Sequence, residues 1–148
     1  MKIFKYFFEF ISVLSLFFIF KIIGLRNSSF LGSMLGVTIG PFFRSKEVTK
    51  ENIKIGLGEI GKKREKEIIN GMWSNIGRTF AEYVFLKKFK YNKKKFNHIK
   101  INGMNYLDEI RKNNEPVIFY SGHFANFELM AMEIDKAGIK CAAIYRPL

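Results

Sequence analysis

Residues 116–134 read PVIFYSGHFANFELMAMEI, and this stretch decides the expected fold. Its first five residues form an apolar run typical of a short buried strand, and Ser121-Gly122 favours a tight turn. The apolar spacing after the turn predicts a helix that ends at Gly138, and a second apolar run follows over residues 139–145. Strand, helix and strand in this order require a parallel pair joined by a crossover. We therefore predict an α/β fold in which a parallel βαβ sheet begins here.

A histidine and a carboxylate, His123 and Glu128, lie five positions apart after the first predicted strand. Open α/β sheets bind ligands at the carboxyl ends of their strands. An imidazole there can accept a proton from an attacking hydroxyl if a carboxylate orients it. Because five helical residues separate two side chains by about 140°, the pair converges only if His123 precedes the helix. The competing interpretation is a histidine that caps the helix, with Glu128 as a solvated first-turn carboxylate.

Four motifs follow one another along the chain. They are Asn52–Leu57, Gly71–Tyr83, Ser121–Glu128 and Tyr145–Leu148. In this order they resemble the lipid A biosynthesis late acyltransferases, the lauroyl and myristoyl transferases, from about residue 44 onward. Phe127 departs from the many relatives that carry Trp, but the position keeps an aromatic ring. Relatives continue past the last motif with further strands and helices, so we expect a truncated chain with little activity alone.

The resemblance implies transfer of a fatty acyl group from acyl carrier protein to a hydroxyl of a lipid A precursor. His123 is then the general base and Glu128 its partner, with no cofactor and no serine or cysteine nucleophile. We assign Asn126, inside the motif, and Arg146 to substrate binding. The Arg146 guanidinium, after the second predicted strand, can bind an acceptor phosphate or the thioester oxyanion. The alternative for Arg146 is a surface arginine beside a proline turn.

Two other functions stay open from the sequence. A glycerolipid acyltransferase uses a related arrangement of histidine and acidic residue, although residues 71–75 favour lipid A. An inactive, truncated membrane-associated fragment is the second alternative. Arg78 and Glu82, at helical i and i+4 spacing, are expected to pair with each other, without an assigned role.

The amino-terminal part contains two uncharged stretches. Residues 3–25 are rich in Phe, Ile and Leu, but three charged side chains leave only residues 10–20 free of charge. A spanning helix needs about 20 mostly apolar residues, so a marginal span and a helix lying in the interface are both open. The second stretch, residues 30–43, is interrupted by glycines and favours a membrane-surface or buried hairpin.

These patterns predict two segments. Residues 1–43 form a membrane-associated segment, and residues 44–148 form the amino-terminal part of an α/β acyltransferase domain. The excess of Lys and Arg after the apolar stretches predicts that this domain lies on the cytoplasmic side of a membrane, which the family resemblance implies is the bacterial inner membrane. Within it, a helix is expected from about residue 63 to residue 85, with an apolar stripe that includes Trp73.

The formal net charge is +12, and residues 87–100 contain seven lysines and no acidic residue. Such a segment attracts acidic lipid headgroups, a phosphorylated lipid A precursor or acyl carrier protein, unless it only reflects a lysine-rich composition. Sparse arginine and the lack of a recognised motif argue against nucleic-acid binding. No phosphate-binding loop or metal-ligand cluster is evident, and Cys141, the single cysteine, is expected to be a small buried core residue.

Overall fold

The computed structural model describes residues 2–91 and 99–144. Within these residues the regular structure is helical. The α-helices are α1 Lys2–Ile39, α2 Lys46–Leu57, α3 Lys62–Glu82, α4 Leu86–Tyr91, α5 Met104–Asn113 and α6 Glu128–Lys136, with 3-10 turns at Gly40–Phe42 and Tyr83–Phe85. The chain forms two compact units, Met1–Phe85 and Leu86–Leu148.

Helix α1 is broken at Gly24 into an amino-terminal limb, residues 2–23, and a carboxyl-terminal limb, residues 25–39. Gly24 has φ 80° and ψ 165°, a conformation open essentially to glycine alone. The break deprives nearby carbonyls of their helical partners, and the Ser28 hydroxyl lies 2.7 Å from the carbonyl oxygens of both Phe20 and Gly24. The buried Ser28 hydroxyl thus compensates for a backbone hydrogen bond that is lost at the kink and stabilises the bent form of the helix.

The carboxyl-terminal limb packs against α3 at very short range. A Cβ atom on Gly32 would overlap the carbonyl oxygen of Gly77, and one on Gly36 would overlap that of Trp73. Such contacts bring the two backbones together, as in the small-residue interfaces of membrane helices. Polar side chains also cross this interface, since the hydroxyls of Ser33 and Ser74 lie 2.7 Å apart.

The contact between α1 and α3 bears on the predicted segments. Residues 32–40 of the expected membrane segment pack on Trp73 and Gly77 of the expected catalytic part. Residues 32–40 and α3 therefore belong to the same compact unit, Met1–Phe85. The expected helix over 63–85 is confirmed as α3 with its 3-10 turn, whereas residues 30–39 form a helix rather than a hairpin.

Helix α2 begins with a side-chain cap. The Ser45 hydroxyl accepts a hydrogen bond from the Val48 amide at 3.3 Å and donates to the Glu47 carboxylate at 2.6 Å. This hydrogen bond lowers the pKa of Glu47 below its ordinary value. The stabilising contribution of Glu47 is thus present above the ordinary carboxyl range and is lost as the pH falls.

In the second unit, α6 confirms the helix expected before Gly138. Gly138 ends it with φ 80°, and Ile134 is buried. The Asp135 carboxylate accepts a hydrogen bond from Lys90 on α4, and this bond raises the pKa of Lys90. Lys90 therefore stays charged at physiological pH, and its stabilising contribution is lost as the pH rises through this raised pKa.

The expected strands do not form within residues 2–91 and 99–144. Residues 115–124 and 139–144 have no regular secondary structure, and Ile118, Tyr120 and Ile144 are almost fully exposed. A strand becomes stable only when a neighbour completes its backbone hydrogen bonds, and no such partner lies beside these residues in the described part of the chain. The α/β class and the parallel pair therefore stay predictions.

Candidate functional site

A tight turn presents His123 to solvent. The Phe124 amide donates to the Gly122 carbonyl oxygen at 2.8 Å, which makes His123 the central residue of a three-residue γ-turn. Gly122 lets the Phe124 ring lie over this turn, since a Cβ atom at that position would displace the exposed ring. Ala125 follows with φ 47°, in the left-handed region that residues other than glycine rarely adopt. Two successive reversals thus connect the exposed histidine to the helix that follows.

The imidazole of His123 packs on Phe127. The two ring centroids lie 4.3 Å apart with an interplanar angle of 75°, an edge-to-face arrangement. Aromatic pairs prefer this geometry because the positive edge of one ring meets the negative face of the other. Phe127 therefore limits the rotation of an otherwise exposed imidazole.

Glu128 lies at the first position of α6. Here the Leu129 amide donates to the Asn126 carbonyl oxygen at 3.2 Å, and the Met130 amide donates to that of Phe127 at 3.1 Å. Glu128 is half-buried, and a carboxylate in the first turn is favoured by the helix dipole. The side-chain oxygen of Asn126, in the same turn, is buried.

The structure brings three of the predicted site residues to one turn-to-helix junction. His123, Asn126 and Glu128 lie within six residues of each other there, with His123 before the helix as its predicted role requires. Between the described side chains of His123 and Glu128 there is no hydrogen bond, so the catalytic pair stays a prediction. Arg146 lies outside the described residues.

Two features of this junction escaped the sequence analysis. The left-handed conformation falls on Ala125, and no glycine, asparagine or aspartate marked that position. The contact between His123 and Phe127 has a weak signal, an aromatic residue four positions after the histidine. The expectation that Cys141 is buried is wrong: it is exposed, because the second apolar run lies in no sheet that would cover it.

A family model described as bacterial lipid A biosynthesis acyltransferase matches residues 1–148. The chain belongs to this family. The match confirms the resemblance seen in the four motifs and extends it over α1. No curated protein and no solved structure matches the chain.

Membership of the lipid A biosynthesis acyltransferase family points to an acyl donor and a lipid A acceptor. Such a reaction needs a group that removes a proton from the acceptor hydroxyl. His123 is an exposed imidazole at the centre of the turn closed by the Phe124 amide and the Gly122 carbonyl oxygen. Among residues 2–91 and 99–144, no group of three or more His, Cys, Asp or Glu side chains is arranged to hold a metal ion.

Proposed function

We propose that this lipid A biosynthesis acyltransferase transfers a fatty acyl group from acyl carrier protein to a hydroxyl of a lipid A precursor. The supporting observation is an exposed imidazole, held by Phe127 at the turn before α6, in a chain that matches the family over its full sequence. His123 acts as general base and Glu128 as its partner. Asn126 and Arg146 bind substrate.

In the proposed reaction His123 removes the proton from the acceptor hydroxyl while its oxygen attacks the thioester carbonyl. The new carbon–oxygen bond gives a tetrahedral oxyanion, which collapses with loss of the carrier protein's thiolate. The imidazolium then returns its proton to that sulfur, so histidine ends the cycle neutral. The Glu128 carboxylate stabilises the imidazolium, and Arg146 stabilises the oxyanion or an acceptor phosphate.

The choice of acceptor tests the proposal. Purified protein in detergent, in a version that carries the family's later elements and is supplied with acyl-loaded acyl carrier protein, should acylate a lipid A precursor, as mass spectrometry of the lipid product detects. The same protein should leave glycerol 3-phosphate unchanged. The 148-residue chain alone should show little turnover in the same assay. Acylation of glycerol 3-phosphate alone would establish the glycerolipid alternative, and no acylation of either acceptor by a folded protein would favour the inactive fragment.

We further propose that the amino-terminal limb of α1 anchors the protein in the bacterial inner membrane, with the basic remainder on the cytoplasmic side. By length and composition, α1 with its following 3-10 turn, residues 2–42, is long and apolar enough to cross a bilayer. Lys5 and Glu9 pair on this limb at 3.7 Å, which lowers the cost of bringing both charges into the interface.

Replacing two exposed residues of this limb, in the variant Leu14→Asp/Phe18→Asp, should move the protein from the membrane fraction to the soluble fraction. A carboxylate near the bilayer centre opposes insertion by about 2.5–3.5 kcal/mol per residue on translocon scales. Both side chains are exposed, so the helices should keep their packing. The control Ile55→Asp, at an apolar residue of α2 that is more exposed than either, should stay with the membrane. Retention of the double variant in the membrane would place the anchor elsewhere.

The lysine-rich segment is proposed to dock acyl carrier protein. Lys93, Lys94 and Lys95 lie outside the described residues. Changing all three to Glu should weaken binding of the carrier protein, and the difference from wild type should shrink as salt rises, because the Debye length is about 8 Å at physiological ionic strength. Titration calorimetry at several salt concentrations measures this effect. The same triple reversal at Lys62, Lys63 and Lys66 of α3 is the control. An equal loss of carrier-protein binding in that variant would show that the effect depends on net charge and not on the lysine-rich segment.

A further inference from the structure

The carboxyl-terminal limb of α1 and its 3-10 turn carry a long uncharged surface. No charged residue lies between Arg26 and Arg44, a segment of 17 residues. On it, Phe30 and Met34 are 61% and 51% exposed, one helical turn apart, and Phe42 and Phe43 are 87% and 81% exposed. Four large apolar side chains thus face solvent on one short segment, which we call the interfacial segment, residues 27–43.

Helix α3 covers the opposite side of this segment. Gly32 and Gly36 fit against Gly77 and Trp73 so closely that the two helices must move together. A protein partner on the apolar side would pack against a helix whose other side already packs on α3. The basic ends and the uncharged centre instead match a lipid surface, where anionic headgroups meet the cations and hydrocarbon meets the rings.

The polar residues of α3 decide how deep this segment can lie. Ser29 accepts a hydrogen bond from Arg78 at 3.3 Å and donates one to Glu82 at 3.2 Å. If the interfacial segment crossed the bilayer, it would carry the exposed Arg78 guanidinium into the hydrocarbon, which costs at least about 2.5 kcal/mol. Lying in the plane of the interface leaves Arg78 on the water side.

The kink at Gly24 permits such an arrangement. It separates the amino-terminal limb, whose side chains are mostly exposed and apolar, from the limb whose glycines pack on α3. The amino-terminal limb meets α3 near the kink, where the rings of Phe17 and Phe80 lie 5.1 Å apart. Lys21 and Arg26 flank the kink on its two sides, as expected where a helix meets the headgroup region. The chain can therefore change direction at the membrane surface.

We infer that residues 27–43 lie in the plane of an anionic membrane surface, with Phe30, Met34, Phe42 and Phe43 as lipid contacts. Only the amino-terminal limb enters the bilayer. The second contact fixes how the first compact unit stands on the membrane, which an anchor alone does not do. This inference deepens the proposed membrane anchoring and does not depend on acyl transfer.

Site-directed spin labelling of the full chain tests it. Cys141→Ser removes the single native thiol, and a nitroxide is then attached to a cysteine placed singly at Leu14, Met34, Phe43 or Ile55, all exposed residues. The proteins are reconstituted in vesicles of phosphatidylethanolamine and phosphatidylglycerol. Collision rates with oxygen and with a water-soluble nickel complex give the depth of each label. The label at Leu14 reports on the anchor, and the label at Ile55 of α2 is the control in water.

The labels at Met34 and Phe43 should lie about 5–10 Å below the headgroup phosphates, the depth of interfacial helices. A spanning segment would instead put the Met34 label near the bilayer centre, about 15 Å deep. That result would overturn the inference, and so would nickel exposure at Met34 and Phe43 equal to that at Ile55.

In phosphatidylcholine vesicles the Phe43 label should become more exposed to nickel while Leu14 stays buried; unchanged exposure would contradict the anionic preference. A water-exposed Leu14 label would contradict the anchor, whatever the other labels show.

Discussion

In a version of the enzyme that carries the family's later elements, His123→Ala should lose acyl transfer by about 10²–10⁴-fold, because general base catalysis typically contributes that much. Membrane association and helical content should not change, since the His123 side chain is exposed and its packing partner in the structure is the Phe127 ring. Initial rates with acyl-loaded carrier protein and lipid A precursor measure the loss, and circular dichroism checks the fold. The control His98→Ala, at the other histidine of the chain, lies in the lysine-rich segment and should retain the wild-type rate at saturating acyl carrier protein.

The variant Glu128→Gln tests whether His123 and Glu128 act as one catalytic pair or independently. The amide keeps the shape of the side chain but loses the charge that supports the imidazolium, so the rate should fall by no more than in His123→Ala. The double variant should be no slower than His123→Ala, since both changes disable one unit. Additive losses would assign Glu128 a separate role. Near-normal transfer by a folded His123→Ala protein would refute the general base.

The sequence predicted which residues form the candidate site and where they lie relative to the helix. It did not predict how their side chains are arranged. The motif placed His123 before a helix and Glu128 in the first turn, and α6 begins at Glu128. That location follows from local rules, since Gly122 permits the turn and Gly138 ends the helix. The contact of the imidazole with Phe127 depends on the left-handed Ala125, a conformation that carries no sequence signal in alanine.

The fold was predictable where local spacing decides it. Helix α3 follows its apolar periodicity, whereas the expected strands depend on partners far away in sequence or space. Residues 116–120 have the composition of a strand, but all of them except Phe119 are exposed, and no neighbour among the described residues pairs with them. The close approach of α1 and α3 was also missed. Glycines four positions apart, such as Gly32 and Gly36, were interpreted as interruptions of the helix. In a helix this spacing places both on one face, where another helix can approach closely.

That close approach gives the largest stability effect expected in this chain, in the variant Gly77→Ala. The added Cβ atom would overlap the carbonyl oxygen of Gly32, and a backbone atom inside a helix cannot move aside as a flexible side chain can. Helices α1 and α3 must then separate, which loses the hydrogen bond between Ser33 and Ser74 as well. Overpacking of this kind costs about 1–3 kcal/mol or more. Thermal unfolding in detergent, followed by circular dichroism, should show a clear fall in midpoint temperature.

Gly71→Ala on the same helix is the matched control. A Cβ atom there meets nothing within 4 Å, and the residue is exposed. Replacing a glycine in a helix interior by alanine stabilises by roughly 0.5–1 kcal/mol, because the unfolded chain loses conformational freedom. The two identical substitutions, six positions apart on α3, should therefore shift the midpoint in opposite directions. If Gly77→Ala were also stabilising, backbone contact between α1 and α3 would be ruled out, and the interfacial segment would lose the helix that holds it at the membrane surface.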